Sequence, residues 1–324
     1  MVTAPFARVA VLGLGLVGGS LARLLRERGV DVVGQDVDGA TVAAAGAVGL
    51  RATTSVAEAV DGADLVVLAV PLRAMRATAA ELARSLGPDA TLTDVGSVKG
   101  PVRHAVEAVG LGERYVGAHP MAGTEQSGFA ASTADLLAGA PWAVTVPAAP
   151  DRLARLLHLI TGTLGGTAAV LADDVHDEAA ALISHVPHVL ATQLLNAVAG
   201  APVRDAALGL AAGSFRDGTR VAYTDPGRTE AMVTENAAWV APALRKAIRD
   251  LESVVAALET NAPVHGFFQA ADAVRELGRP GTRADLVAAL PVALEGDWPS
   301  RLASECASGA VVVALTPAEA LLAR

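Results

Sequence analysis

Gly13, Gly15 and Gly18 stand in the pattern G-x-G-x-x-G, directly after the apolar run Arg8 to Leu12 and before a stretch of helical character from Val17 to Arg28. No other feature restricts the fold as strongly. Glycines at these offsets serve a tight turn, a close approach of backbone to a pyrophosphate, and close packing of helix on strand. The unpaired N–H groups and positive dipole of the helix start then face the phosphates. Asp36 ends the next apolar run, Asp31 to Asp36, where a carboxylate accepts hydrogen bonds from the adenosine ribose hydroxyls. A carboxylate there repels a 2′-phosphate, and no arginine follows it immediately, so NAD is favoured over NADP. Leu16 and Val17 in the loop, Val70 at the end of a later strand and Ser97 complete the expected cofactor contacts. On the alternative reading Asp36 is a turn residue opening the next helix, a part that Asp38 could also take.

The motif opens a pattern of alternating strands and helices. Leu65 to Val70, cut off by Pro71, Thr91 to Val95 and Tyr115 to Ala118 are apolar runs of strand length. Continuous apolar strands between helices predict a parallel sheet covered on both faces, a doubly wound, Rossmann-type fold. Trp142 to Val146 is expected late in the same sheet. The character changes at 147–150. Apart from a short strand near Ala168 to Leu171, the next stretch is helical, with long helices over Asp174 to Val198 and Thr229 to Glu259. Met232, Val233, Trp239, Val240, Leu244, Ile248, Leu251 and Val255 recur there at helical spacing. Helices apolar on several faces need partners, and a helical domain that forms a homodimer supplies them. The expected division is a nucleotide-binding domain over 1–148, a helical substrate and dimerisation domain over 149–278, and a small tail over 279–324. Strands at Asp285 to Ala293 and Ala310 to Leu315 around a short helix would make the tail a β-α-β unit.

The formal net charge of −9 excludes nucleic acid and anionic membranes as partners, since both require a basic footprint. A small anionic substrate remains compatible if a few arginines line one cleft. Cys306 is the single cysteine, so no intrachain disulfide forms, and it reads as an idle thiol. Met1 to Arg8 is too short and mixed for a signal peptide, and no apolar run reaches the ~20 residues of a membrane span. A cytoplasmic enzyme is expected. His185 and His188 lie three apart on one helical face if the helix survives Pro187. With no third ligand evident, no metal site is expected.

Three segments carry polar residues that a scaffold does not need. They are DVGSVKG (94–100), GAHPMAGTEQSG (117–128) and HDEAAALISHVPH (176–188). The first two follow strands, and ligands of open α/β sheets bind beyond the carboxyl ends of strands. Together with GLGLVGGS (13–20) and AAGSFRDGTRVA (211–222), they resemble the prephenate/arogenate dehydrogenase family, in the family's order, over about residues 8 to 260. The resemblance implies a Rossmann domain followed by a helical dimerisation domain, and oxidative decarboxylation of prephenate to 4-hydroxyphenylpyruvate with release of CO2 and NADH. It also points to His119 as acceptor of the ring hydroxyl's proton, which suits a neutral imidazole near neutral pH.

Ser97 would hydrogen-bond the same hydroxyl or His119; alternatively it caps the helix starting near Lys99. Arg220 in FRDGTR would grip a substrate carboxylate bidentately, with Asp217 and Glu125 holding it. Thr124 and, by the resemblance, His188 would line the substrate cleft. His176, with Asp177, could simply start a helix. Asp225-Pro-Gly-Arg228-Thr stands where relatives often carry an aromatic, which leaves aromatic substrate contacts and tyrosine inhibition open. No chorismate mutase segment is expected before residue 8, and no full regulatory domain after Gly278. Hydroxyacid dehydrogenases share the architecture but use a lysine on the interdomain helix, and the helix from Asp174 has none. A catalytically dead NAD sensor would not need Ser97, His119 and Arg220. Arogenate stays open as substrate.

Overall fold

The computed structural model describes residues 5–277 and 288–324. Residues 278–282, with two glycines and one proline, and residues 285–287 of the expected tail strand lie outside them. Six parallel strands form the first sheet: β1 (Arg8–Leu12), β2 (Asp31–Gln35), β3 (Arg51–Thr53), β4 (Leu65–Leu68), β5 (Thr91–Asp94) and β6 (Tyr115–Val116). Their order is β3-β2-β1-β4-β5-β6, the order of the doubly wound dinucleotide fold. Both faces are buried. Val9, Val11, Leu65 and Val67 pack with Leu21, Leu24 and Leu25 of the helix Leu16–Glu27. Ala10, Leu12, Val66 and Leu68 pack oppositely with Met75, Ala79, Val102 and Val106. That period of two, apolar on each side, made the strands readable as continuous runs.

Trp142 to Val146 does not join this sheet. The strand direction begun in β6 changes sheet at Gly117, and β7 (Ala118–Pro120) pairs antiparallel with β8 (Pro141–Thr145). A Cβ at Gly117 would stand 2.6 Å from Thr145 Oγ1 and 3.0 Å from the Tyr115 hydroxyl, so only glycine allows this passage. β8 pairs parallel with β9 (Thr167–Leu171), and the sheet continues through β11 (Val311–Leu315), β12 (Glu319–Ala323) and β10 (Ala288–Ala293). The tail is therefore the far half of a second six-stranded sheet. Its helix Trp298–Ala307 buries Trp298, Leu302 and Cys306 in the same core as Leu21, Trp142 and Leu156. The boundary expected at 148/149 shifts correspondingly, because β9 and the helix Pro150–His158 belong to the two-sheet unit.

Helices follow from Asp173. Asp173–Ala180 runs through a wide π turn, Ala181–His185, into Val186–Ala199. Pro187 sits in the first turn of the last segment; lacking an N–H, it removes one i→i−4 bond, and the widened turn accommodates the loss. The helix expected over Thr229 to Glu259 is two helices, Pro226–Glu235 and Ala237–Glu259, broken at Asn236. Asp225 caps the first by accepting the Arg228 N–H at 2.8 Å, which explains Asp-Pro-Gly-Arg locally.

One buried carboxylate ties the ends of the central strands together. Asp94 closes β5 with no exposure and accepts the Tyr115 hydroxyl at 2.8 Å, Ala118 N at 3.1 Å, Gly96 N at 2.9 Å and the Lys99 ammonium. Lys99, equally buried, also donates to Ala118 O at 2.6 Å. Burial holds its pKa below the ordinary ammonium value, with Asp94 opposing that shift. Removing one partner of such a pair leaves the other charge buried and unmatched. Lys99→Met is expected to lower unfolding stability by about 3–5 kcal/mol, read as a reduced urea midpoint at unchanged denaturant slope.

Candidate active site

The glycine loop has the geometry that its spacing foretold. Gly13 adopts φ +97°, and a Cβ there would stand 2.6 Å from Ala69 O. At Gly18 a Cβ would fall 2.0 Å from Gly13 O, so this glycine sets the contact of helix with strand. Gly15 has nothing within 4 Å of its Cβ position and leaves open space above the helix start. It is also the N-cap of Leu16–Glu27 and offers no side-chain cap, so the first N–H groups remain free for a phosphate. Leu16 is buried, while Val17 and Val70 are half-buried beside the loop. Asp36 is half-buried and bonded to the loop: Oδ2 accepts Leu14 N at 2.9 Å and Oδ1 accepts Asp38 N at 3.0 Å. Each oxygen keeps a lone pair for a ribose hydroxyl. Asp38, accepting Ala40 N and Thr41 N, is the actual cap of the next helix. These residues fit a dinucleotide.

Three imidazoles and a carboxylate meet where the helical unit touches the sheet ends. His119, on β7, lies 3.0 Å (Nδ1 to Nε2) from His176, and His176 Nδ1 lies 2.8 Å from Asp177 Oδ1. Asp177 also accepts Lys99 N at 2.7 Å and Gly100 N at 2.9 Å. It thus caps the helix Gly100–Glu107 from the other unit, and Ser97 does not. Burial works to raise the Asp177 pKa, but the His176 hydrogen bond and the two backbone N–H donors prevail and hold it below the ordinary carboxylate value. His119 is held well below the ordinary imidazole value, by burial first and then by the charges of Lys99, His176 and His185. Its Nε2 has no protein partner among the described residues.

Asn236, at the helix break, donates its amide nitrogen to Asp177 O at 2.8 Å and to His185 Nδ1 at 2.9 Å. A carbonyl only accepts, so the amide nitrogen is fixed on that side and His185 Nδ1 must accept as well. Burial pushes the His185 pKa down to about 4.

The other expected residues lie apart from this cluster. Ser97 is half-buried and makes no hydrogen bond to His119 among the described residues. His188 is half-buried with Nδ1 2.8 Å from Ser184 O. Thr124 and Glu125 are exposed, and Thr124 O accepts Arg228 at 3.0 Å. Asp217 and Arg220 are exposed too, and Arg220 forms no ion pair with Asp217 or Glu125 among the described residues. The expected bracing of Arg220 is therefore absent. Arg220 ends the short helix Gly213–Thr219 at the surface, where its guanidinium is open to an anion. Among the described residues no group of three His, Cys, Asp or Glu side chains could hold a metal ion.

Asn236 was not singled out from sequence, and His176 with Asp177 was left undecided between a site and a helix start. The adjacency His176-Asp177 was the available signal; Asn236 had none.

The chain matches the family model of the prephenate dehydrogenase nucleotide-binding domain over residues 21–170 and that of the prephenate dehydrogenase dimerization domain over residues 172–269. The changeover falls at the end of β9. A cyclohexadienyl dehydrogenase of Zymomonas mobilis is 35% identical over 260 residues, 78% of this chain and 89% of that protein. The structure of Aquifex aeolicus prephenate dehydrogenase in complex with hydroxyphenyl propionate and NAD+ gives a TM-score of 0.75 at 31% identity, covering 83% of this chain and 97% of that one. Synechocystis arogenate dehydrogenase gives 0.71 at 28% identity, with 83% and 99% covered. The two models follow one another in chain order and meet where the histidine cluster spans the junction of the units, and the chain belongs to the prephenate dehydrogenase family.

Proposed function

We propose that this protein is a prephenate dehydrogenase that oxidises and decarboxylates prephenate to 4-hydroxyphenylpyruvate with NAD. The observation that carries this reading is His119, a neutral imidazole held at Nδ1 and with no hydrogen-bond partner at Nε2 among the described residues, in a chain that also carries a dinucleotide loop. NAD, when bound, supplies the hydride acceptor. The chain's own residues do the rest. Free N–H groups at Gly15 and the helix start bind pyrophosphate, and Asp36 accepts the ribose hydroxyls. His119 Nε2 takes the proton of the ring hydroxyl as the hydroxyl-bearing carbon becomes a carbonyl carbon. The ring carboxylate leaves as CO2, its bonding electrons restore aromaticity, and the phenolate oxygen so formed takes the proton back from His119 Nε2. Arg220 binds a substrate carboxylate, Ser97 hydrogen-bonds the hydroxyl, and Thr124, Glu125, Asp217 and His188 border the cleft. A homodimer is part of the reading. Leu210 at 83%, Tyr223 at 67%, Ile183 at 66% and Phe268 at 59% exposure leave apolar surface on the helical unit, more than scattered singles explain. The single cysteine suits a cytoplasmic enzyme.

Steady-state turnover tests the function: prephenate with NAD should be used far better than arogenate, and no turnover with either would refute it. His119→Asn should cut kcat by about 10²- to 10⁴-fold with little change in the prephenate KM. Because the His119 pKa is lowered, the base stays neutral below its ordinary value of 6.5, and the acid limb of kcat/KM should fall under pH 6.5. An acid limb at or above 6.5 would contradict the assignment.

Asp36→Ala should raise the KM for NAD and narrow the preference over NADP. Unaltered NAD kinetics would show that the ribose is held elsewhere.

Sedimentation at micromolar concentration should give a dimer, as expected of an interface above about 2,000 Å². A monomer would count against the dimer.

A further inference from the structure

We propose that His176 and Asp177 are positioning residues for His119, fixing which of its nitrogens is the base and receiving its charge. The inference rests on the reading of His119 as proton acceptor and deepens it. Asp177 is a carboxylate and can only accept, so the hydrogen between it and His176 lies on His176 Nδ1. With His176 neutral, its Nε2 carries a lone pair. The 3.0 Å contact to His119 then requires the hydrogen on His119 Nδ1. His119 Nε2 is left with the lone pair and makes no hydrogen bond among the described residues. The tautomer needed for proton abstraction is dictated through two rings from one buried carboxylate.

The same chain accommodates the proton once it arrives. The hydroxyl O–H bond breaks, and its proton bonds to His119 Nε2. The hydrogen on His119 Nδ1 moves to His176 Nε2, leaving His119 neutral with its hydrogen on Nε2. His176 becomes an imidazolium beside Asp177, 2.8 Å away. One proton has entered and one positive charge rests against one negative charge, so atoms and charge balance. Lys99 and His185 are the other titratable groups acting on His119; with His185 neutral, burial and the Lys99 charge are what disfavour charge on that ring. Moving the charge one ring inward, to the carboxylate, relieves this.

The two halves of the device come from different units. His119 stands on β7, whereas His176 and Asp177 stand on the first helix of the helical unit. Asp177 is positioned by the N–H groups of Lys99 and Gly100, and its own carbonyl by Asn236. Arg103, in the helix that Asp177 caps, pairs with Asp173 and reaches Val146 O at 3.3 Å, binding the same junction. The base is therefore set only when the units are seated together.

The test combines wild-type spectroscopy with two substitutions. In ¹⁵N-histidine-labelled wild-type enzyme at neutral pH, His119, assigned by its loss in His119→Asn, should show a protonated Nδ1 and an unprotonated Nε2. His176→Leu removes the acceptor and should lower kcat by about 10- to 10³-fold, leaving the prephenate KM and NAD affinity within about twofold. His176→Gln, whose amide oxygen can accept from His119, should recover about tenfold of that loss. A His119 hydrogen on Nε2 in the resting enzyme overturns the proposal, as does a His176→Leu variant with kcat within threefold of wild type. Should the leucine variant fail to fold, the wild-type spectrum and His176→Gln decide. Should prephenate not be turned over at all, the function falls while the resting tautomer still reports on the dyad.

Discussion

The Asp94 carboxyl group is fully buried, and much of the molecule is arranged around it. Four donors converge on its two oxygens: a phenol, an ammonium and two backbone N–H groups. They come from the loop after β5, the residue opening β7 and the Tyr115 side chain of β6, so satisfying the one carboxylate that ends β5 fixes the spacing of three strand ends. An isolated charge at this depth would be untenable. The backbone around Gly117 must therefore run close enough for Ala118 to donate, and the position before Ala118 has no room for a side chain. The catalytic candidate is the very next residue, His119.

Asp177 repeats the device at the junction of the units. It draws donors from the loop that Lys99 anchors and from His176. The two carboxylates are thus linked through residues 94–100, one satisfied within the two-sheet unit and the other only by bringing the helices against it. This arrangement divides charge sharply. Asp94, Lys99 and Asp177 are paired or multiply hydrogen-bonded, while burial holds the His119 and His185 pKa values below the ordinary imidazole value, in His185 against the opposing charge of Asp177. A neutral imidazole beside anchored charges is what a proton acceptor requires.

Much of this was legible in the chain. The glycine spacing, the apolar runs of β1, β2, β4 and β5, and the acidic end of β2 identified the first sheet, because buried parallel strands are apolar on both faces. Trp142 to Val146 was recognised as a strand but assigned to the wrong sheet; the change of sheet depends on the space around Gly117, a contact between distant residues. Glu319–Ala323 went unnoticed since Ala and Leu there suit a helix as well as a strand, and pairing with β10 and β11 decided it. His119 stood out by its motif. Asn236 could not, being one polar residue inside an apolar helical pattern, and its meaning arises only because the helix breaks there and turns the amide toward Asp177 and His185. Arg220 was found at the surface without its expected carboxylate partners, for sequence proximity of Asp217 does not aim its side chain.

The protonation pattern that suits catalysis also sets how the fold responds to acid. His119 and His185 have folded-state values below the ordinary 6.5, His185 near 4, so between these limits the unfolded chain binds more protons than the folded one. Stability from these groups is present in full above pH 6.5 and declines as pH falls through 6.5 toward 4. Asp177, lowered from 3.8, adds a stabilisation that survives until pH falls through its own depressed value. The histidines are therefore strained first, and the carboxylate that orders them holds longer. For His185 the reason is geometric as well as dielectric. A proton on Nδ1 would confront the Asn236 amide donor, whose other hydrogen is committed to Asp177 O. Charging that ring means turning the amide away from the helix break, so acid would loosen the junction at Asn236 while Asp94 and Lys99 still hold the strand ends together.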